Sequence, residues 1–358
     1  MLVLYENALQ ADADLISRAI ADRQHLNRME FEDWLRRELL AYHDRKKKYW
    51  KPDYSSEEAY LASVAPNRQR WREALGVFEP RDDDLAPQFF PGMEDDEILV
   101  QWLEVRLDDG LTARAMVGRP KKAQGALPLM VCQHGISSSP EHCFGVAPAE
   151  TVYWSFAQRL VREGYAVIAP LLTTDGKYRS RLDRMCRSLG FTLEGLEVAK
   201  ISRLLDWAET QSWVDSDRMG MWGLSMGGLY TLITVPAELR LKLGIIAAFF
   251  NHRVNKLCIE DPRYSCFLPL PEEYIFIPGW LREFSDAELL ALYCPRPVQV
   301  QCGKGDGISW WPMVVEEFER GKVYFDGLGV GERCELCLHH GGHEIVYDEG
   351  LRFLQQWL

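Results

Sequence analysis

A chain of 358 residues, 47% of them hydrophobic, can bury a large core, and 27 Gly with 18 Pro leave it neither disordered nor collagen-like. Its 41 Lys and Arg against 53 Asp and Glu give a formal charge of −12, which sets the surface against phosphate backbones and argues against nucleic acid as a main partner. No apolar run reaches the roughly 18 residues needed to cross a bilayer, and the nine cysteines, scattered and odd in number, read as reduced thiols rather than a secreted disulfide framework.

The opening residues are apolar, but Glu6, Asp12 and Asp14 follow at once and no basic segment precedes them. A cytoplasmic protein with no membrane partner is therefore expected. From Ala11 to about Leu75, charges and helix formers surround apolar residues such as Ile16, Ile20, Leu26, Phe31, Trp34, Leu35 and Leu39 at spacings suited to amphipathic helices. This predicts an N-terminal helical arm that packs on the rest of the chain or on a second subunit. A homo-oligomer through the arm is thus an open partner. Pro80 to Asp96, dense in acids and prolines, reads as a connector, and the arm and connector together take residues 1–96.

Ile98 to Leu107 and Leu111 to Val117 are β-prone runs around Asp108-Asp109-Gly110, a hairpin signal. Strands and helices then alternate: strand Leu127 to Gln133, helix Thr151 to Glu163, strand Tyr165 to Leu171, helix Leu193 to Gln211, strand Arg218 to Trp222, helix Gly227 to Pro236 and strand Leu243 to Phe250. The order continues with strand Pro297 to Cys302, helix Trp311 to Phe325, strand Cys334 to Leu338 and helix Asp348 to Leu358. The strands are continuous apolar runs, as burial on both faces requires, so residues 97–358 predict an α/β domain with a mostly parallel central sheet flanked by helices. An aromatic-rich insertion at about 254–292, with Tyr264, Phe267, Tyr274, Phe276, Trp280 and Phe284, is placed to form a lid or to pack as an ordinary long connection.

Gly223-Leu224-Ser225-Met226-Gly227-Gly228 lies where a buried strand gives way to a helix. In that setting G-x-S-x-G reads as a nucleophile elbow, with Ser225 pushed out of a turn too tight for side chains on its flanks. A serine hydroxyl needs a base, and the base needs a carboxylate, in the chain order Ser, acid, His. Asp306 directly follows the strand Pro297 to Cys302, ahead of Asp261, Asp286 and Glu272 as the acid. His343 sits in a glycine-preceded loop before the last helix, ahead of His339 and His340, which extend the strand. For the oxyanion, Met226 N–H follows the nucleophile and the His134-Gly135-Ile136 turn supplies Ile136 N–H, with Gly135 next. The His134 side chain is expected to brace this loop. Pocket candidates are His134, Arg181, Arg184, Trp310 and Trp311, with Arg179 and Arg187 in the same basic connection, which reads more readily as a solvated or salt-bridged surface. Cys334-x-x-Cys337 with His339, His340 and His343 lacks the spacing for a closed four-ligand zinc site, so no metal is expected.

Over about residues 98–358 these motifs, together with Pro295-Arg296-Pro297 and Gly342-His343-Glu344, resemble the α/β-hydrolase superfamily. Within it they are most similar to the acetyl xylan esterase and dienelactone hydrolase-related branch, which also carries a helical N-terminal arm. The resemblance implies an α/β-hydrolase fold and a serine esterase that acts on a small-molecule ester without a cofactor, with Ser225, Asp306 and His343 as catalytic triad. Ile136 departs from the aromatic or glycine often found after His-Gly. A peptidase or amidase on the same scaffold, and a catalytically silent ligand-binding relative, are the alternatives.

Overall fold

A computed structural model of the chain describes residues 13–123, 125–147, 151–261, 268 and 275–358. Nine strands form one sheet: β1 (Gln88–Glu94), β2 (Ile98–Asp108), β3 (Leu111–Pro120), β4 (Leu127–Gln133), β5 (Ala166–Pro170), β6 (Val214–Leu224), β7 (Leu241–Ala247), β8 (Val298–Gly303) and β9 (Cys334–His339). Their order is β1-β2-β3-β5-β4-β6-β7-β8-β9. Pairing is antiparallel from β1 through β3 to β5 and parallel from β5 to β9. The expected hairpin closes at Asp109-Gly110, where Gly110 takes φ +68°, open to glycine at no steric cost. Strand β1 lies inside the stretch expected to be a connector. Its residues are almost all exposed on a sheet edge, so no buried alternation marked it.

Among the described residues, thirteen helices surround the sheet: α1 (Ala13–Leu40), α2 (Tyr42–Lys46), α3 (Glu57–Leu75), α4 (Pro140–Phe144), α5 (Phe156–Arg162), α6 (Gly176–Ser188), α7 (Leu193–Glu209), α8 (Met226–Ala237), α9 (Arg253–Cys258), α10 (Trp280–Glu283), α11 (Asp286–Tyr293), α12 (Trp311–Gly327) and α13 (Tyr347–Trp357). Side chains of α4, α5 and α13 fill the core on one face, and those of α3, α7, α8, α11 and α12 fill the other. The arm divides accordingly. Tyr60 and Trp71 of α3 are fully buried in the main core, the Tyr60 hydroxyl donating to Ala291 O at 2.8 Å and Trp71 Nε1 to Ile233 O at 3.1 Å. Helix α1 has no buried residue.

The described part of the insertion is largely core. All eight residues of α11 are buried, and Trp280 and Phe284 stack edge-on against Trp71 at 5.4 and 5.1 Å. Tyr264, Phe267 and Tyr274, and with them the expected lid, lie outside the described residues. The expected helix Thr151 to Glu163 is broken. A 3-10 turn, Thr151–Tyr153, precedes Trp154 and Ser155 at φ +52° and +51°, and only then does α5 begin, because left-handed residues cannot continue a right-handed helix.

Candidate active site

The expected site residues converge on the carboxyl edge of the parallel strands. Ser225 follows β6 with φ 61° and ψ −120°, a strained conformation for a residue with a Cβ. The neighbouring glycines permit it. A Cβ on Gly223 would lie 2.2 Å from Gly227 O, one on Gly227 2.1 Å from Gln133 O, and one on Gly228 2.6 Å from Ala247 O. Met226 opens α8, whose first-turn N–H groups have no partner within the helix.

The acid and histidine loops are zipped together by Lys304 N–H donating to His339 O (2.8 Å) and Gly305 N–H to Gly341 O (3.0 Å). They bring His343 Nδ1 to 2.9 Å from Asp306 Oδ2, while Asp306 Oδ1 accepts Ile308 N–H at 3.0 Å, so both oxygens of this buried carboxylate are engaged. Asp286, a competing acid, is fully buried in a pair with Arg253 at 2.9 Å. Glu272 lies outside the described residues, whereas Asp261 is described. Ser225 Oγ is not hydrogen-bonded to His343 among the described residues. His339 Nδ1 accepts Gly341 N–H at 3.2 Å and His340 is exposed.

The turn after β4 is pinned at both ends of Gly135. His134 is fully buried. Its Nε2 accepts Leu172 N–H (3.2 Å), which fixes the proton on Nδ1, and Nδ1 donates to Gly135 O (3.0 Å). Burial lowers its pKa to about 4, so the ring is neutral. Both ring nitrogens are thus engaged with backbone, one of them within the His134-Gly135 turn itself. Because C=O and N–H of a trans peptide point oppositely, anchoring Gly135 O on His134 turns Ile136 N–H to the other side. Gly135 N–H donates to the Tyr153 hydroxyl at 2.8 Å, so the expected second-choice oxyanion donor is already committed. Gly135 also packs on the elbow: a Cβ there would lie 3.2 Å from both Leu224 O and Ser225 Cβ.

Tyr153 belongs to a segment that sequence reasoning missed as a site element. In three successive residues, Val152 O accepts Ile345 N–H (2.9 Å), Tyr153 holds the His134-Gly135-Ile136 turn, and Trp154 Nε1 donates to Glu344 Oε2 (2.9 Å). Glu344 follows His343, and its Oε1 accepts Gly342 N–H at 3.2 Å. This strap ties the turn after β4 to the histidine loop.

The basic connection is helix α6, whose Tyr178, Leu182 and Met185 recur at helical spacing but face outward. Arg179 is buried and donates to Thr173 O (2.6 Å) and Glu194 (3.1 Å), whose own carboxyl is pushed up to about 7 by burial. Arg187 pairs with Asp183 at 2.6 Å, while Arg181 and Arg184 are exposed. Trp311 is half-buried against the core with Lys304 Nζ 5.4 Å from its ring centroid, and Trp310 is half-buried before it. Among the described residues, no group of three or more His, Cys, Asp or Glu is disposed to hold a metal ion, and no helix is long and apolar enough to cross a membrane.

No protein-family model matches the chain. A Bacillus subtilis (strain 168) protein named "Putative hydrolase YtaP" is 26% identical over 278 residues, 74% of this chain and 90% of that protein. A glucuronoyl esterase from Solibacter usitatus superposes with a TM-score of 0.65 at 14% identity, over 85% of this chain and 95% of that one. Acetyl xylan esterase 1 from Thermoanaerobacterium sp. JW/SL YS485 does so with a TM-score of 0.57 at 17% identity, over 80% and 92%. The chain shares its fold with these structures, and it is the α/β-hydrolase fold that its motifs led us to expect.

Proposed function

We propose that the protein is a serine hydrolase of carboxylic esters working through an acyl-enzyme. Ser225 Oγ attacks the ester carbonyl as His343 Nε2 takes its proton, Asp306 holding Nδ1–H so that Nε2 is the free base. The oxyanion is received by Met226 N–H and Ile136 N–H. His343 then gives the proton to the leaving alcohol, and water, activated by the same imidazole, releases the acid and restores Ser225.

The observation that carries this reading is the strained backbone of Ser225 at φ 61° and ψ −120°, which no packing need of a serine explains. Ser225 Oγ and His343 remain to be drawn into hydrogen-bond contact, a bond that commonly tightens only with substrate bound. The structurally similar proteins include an acetyl xylan esterase and a glucuronoyl esterase, so carbohydrate esters are the first substrate class to assay. Cys132, Cys143, Cys186, Cys294, Cys302, Cys334 and Cys337 are free thiols, which supports a reducing, cytoplasmic setting.

The test is Ser225→Ala. Turnover of p-nitrophenyl acetate is expected to fall by at least about a thousandfold, and a fluorophosphonate is expected to label the wild-type peptide containing Ser225 and not the variant. Wild-type turnover by the alanine variant overturns the assignment.

A further inference from the structure

We infer that helix α1 is a dimerisation arm whose partner is the α1 of a second copy, running antiparallel. The helix has 28 residues, about 42 Å at about 1.5 Å per residue, and none of them is buried. It nevertheless carries Leu15, Ile20, Leu26, Phe31, Trp34 and Leu35 on its surface, with Phe31 63% and Trp34 55% exposed. A monomer rarely leaves so long a run of large apolar side chains in water. Near its carboxyl end the helix is tied to the body, where Arg36 Nη1 donates to Cys258 O at 2.6 Å and Leu39 packs on the core.

Two further observations choose the occupant and its direction. At the root of α1 an apolar cavity of about 410 Å³ opens between Trp34, Leu35 and Leu39 on one wall and Leu257, Phe276 and Trp280 on the other. The exposed Leu15 and Ile20 lie at the far end of the same helix. A two-fold axis near Asn27 brings the far end of each arm onto the root of the other, filling both cavities by one isologous contact. Charge runs the same way. Asp14 and Asp22 against Arg18, Arg23 and Arg28 leave the first part of α1 with one excess positive charge. Glu30, Glu32, Asp33 and Glu38 against Arg36 and Arg37 leave the last part with two excess negative charges. Antiparallel pairing sets these unlike ends together, and parallel pairing would set like against like.

Sedimentation or light scattering of the full chain at about 10 µM, a concentration where a micromolar or tighter pair is assembled, is expected to give twice the 41.3 kDa chain mass. Leu26→Glu combined with Phe31→Glu is expected to give the single-chain mass with ester turnover retained, since both side chains are exposed and neither belongs to the candidate site. Direction is read by oxidative cross-linking. Leu26→Cys, beside the axis, links to its own copy, and Leu15→Cys, far from it, does not. A monomeric wild type, a double variant that stays dimeric, or Leu15→Cys linking as well as Leu26→Cys overturns the inference. None of these outcomes bears on the Ser225 assignment.

Discussion

Replacing Tyr153 by Phe removes one oxygen and keeps the ring that stacks 6.4 Å from Phe156. The oxygen lost is the acceptor for Gly135 N–H at 2.8 Å, and Gly135 is itself fully packed. A buried N–H without a partner costs about 1–3 kcal/mol, and the oxyanion turn can recover that only by moving. Gly135 and Ile136 share a peptide plane, so movement at the first shifts the N–H of the second. Removing an oxyanion donor outright typically costs about a hundredfold to a thousandfold in kcat, and about 1.4 kcal/mol corresponds to tenfold. Tyr153→Phe is therefore expected to lower kcat by about tenfold to a hundredfold while KM changes by less than about threefold, because the lost support matters where negative charge develops. The assay is steady-state hydrolysis of a p-nitrophenyl ester, normalised to sites titrated with a fluorophosphonate, beside a thermal melt. A merely structural tyrosine would lower the melting temperature and leave turnover per titrated site intact. Turnover per site within about twofold of wild type would refute the positioning role.

Two other perturbations probe the same scaffold. Trp154→Phe breaks the bond to Glu344 on a half-exposed side chain, so stability should move by no more than about 0.5 kcal/mol, while turnover per titrated site falls as the histidine loop loses its tie. A fall in stability without a fall in turnover would count against the strap. His134 tests linkage. Its folded pKa is about 4 against an ordinary 6.5, so the unfolded chain binds the extra proton between these values, and the stabilisation is complete above 6.5 and lost as pH falls towards 4. The stability gap between wild type and His134→Ala, from urea unfolding, should shrink by about 2 kcal/mol between pH 7 and pH 5. A gap that stays constant removes the buried neutral imidazole from the account.

The elbow could be read in the sequence because absence of a side chain is itself a residue type. Gly223, Gly227 and Gly228 each sit where a Cβ would come within 2.6 Å of backbone oxygen, and this constraint is local enough for three letters to carry it. Asp306 and His343 were readable for a related reason. Asp306 follows the buried strand β8 and His343 the half-buried edge strand β9, so strand prediction and chain order together placed them at one edge, where the structure joins them at 2.9 Å. Helices α6 and α11 defeat the same method from opposite directions. In α6 the inward face holds Arg179 and Asp183, ion-paired and not apolar, while the apolar stripe of Tyr178, Leu182 and Met185 faces outward, and in α11 every position is buried, so no one-sided stripe marks it.

The strap was illegible for a deeper reason. Trp154 and Ser155 adopt positive φ without being Gly, Asn or Asp, so nothing in their identity announces a break in what otherwise reads as a helix. Their conformation is held by partners about 20 and 190 residues away, Gly135 through Tyr153 and Glu344 through Trp154. A glycine-forced turn can be read from a short window because its cause lies within that window. A turn held by distant hydrogen bonds has its cause elsewhere in the chain. The hydrogen bonds that join the turn after β4 to the histidine loop are of the second kind, and for that reason the candidate serine, acid and histidine could be proposed from their letters while Tyr153 and Trp154 could not.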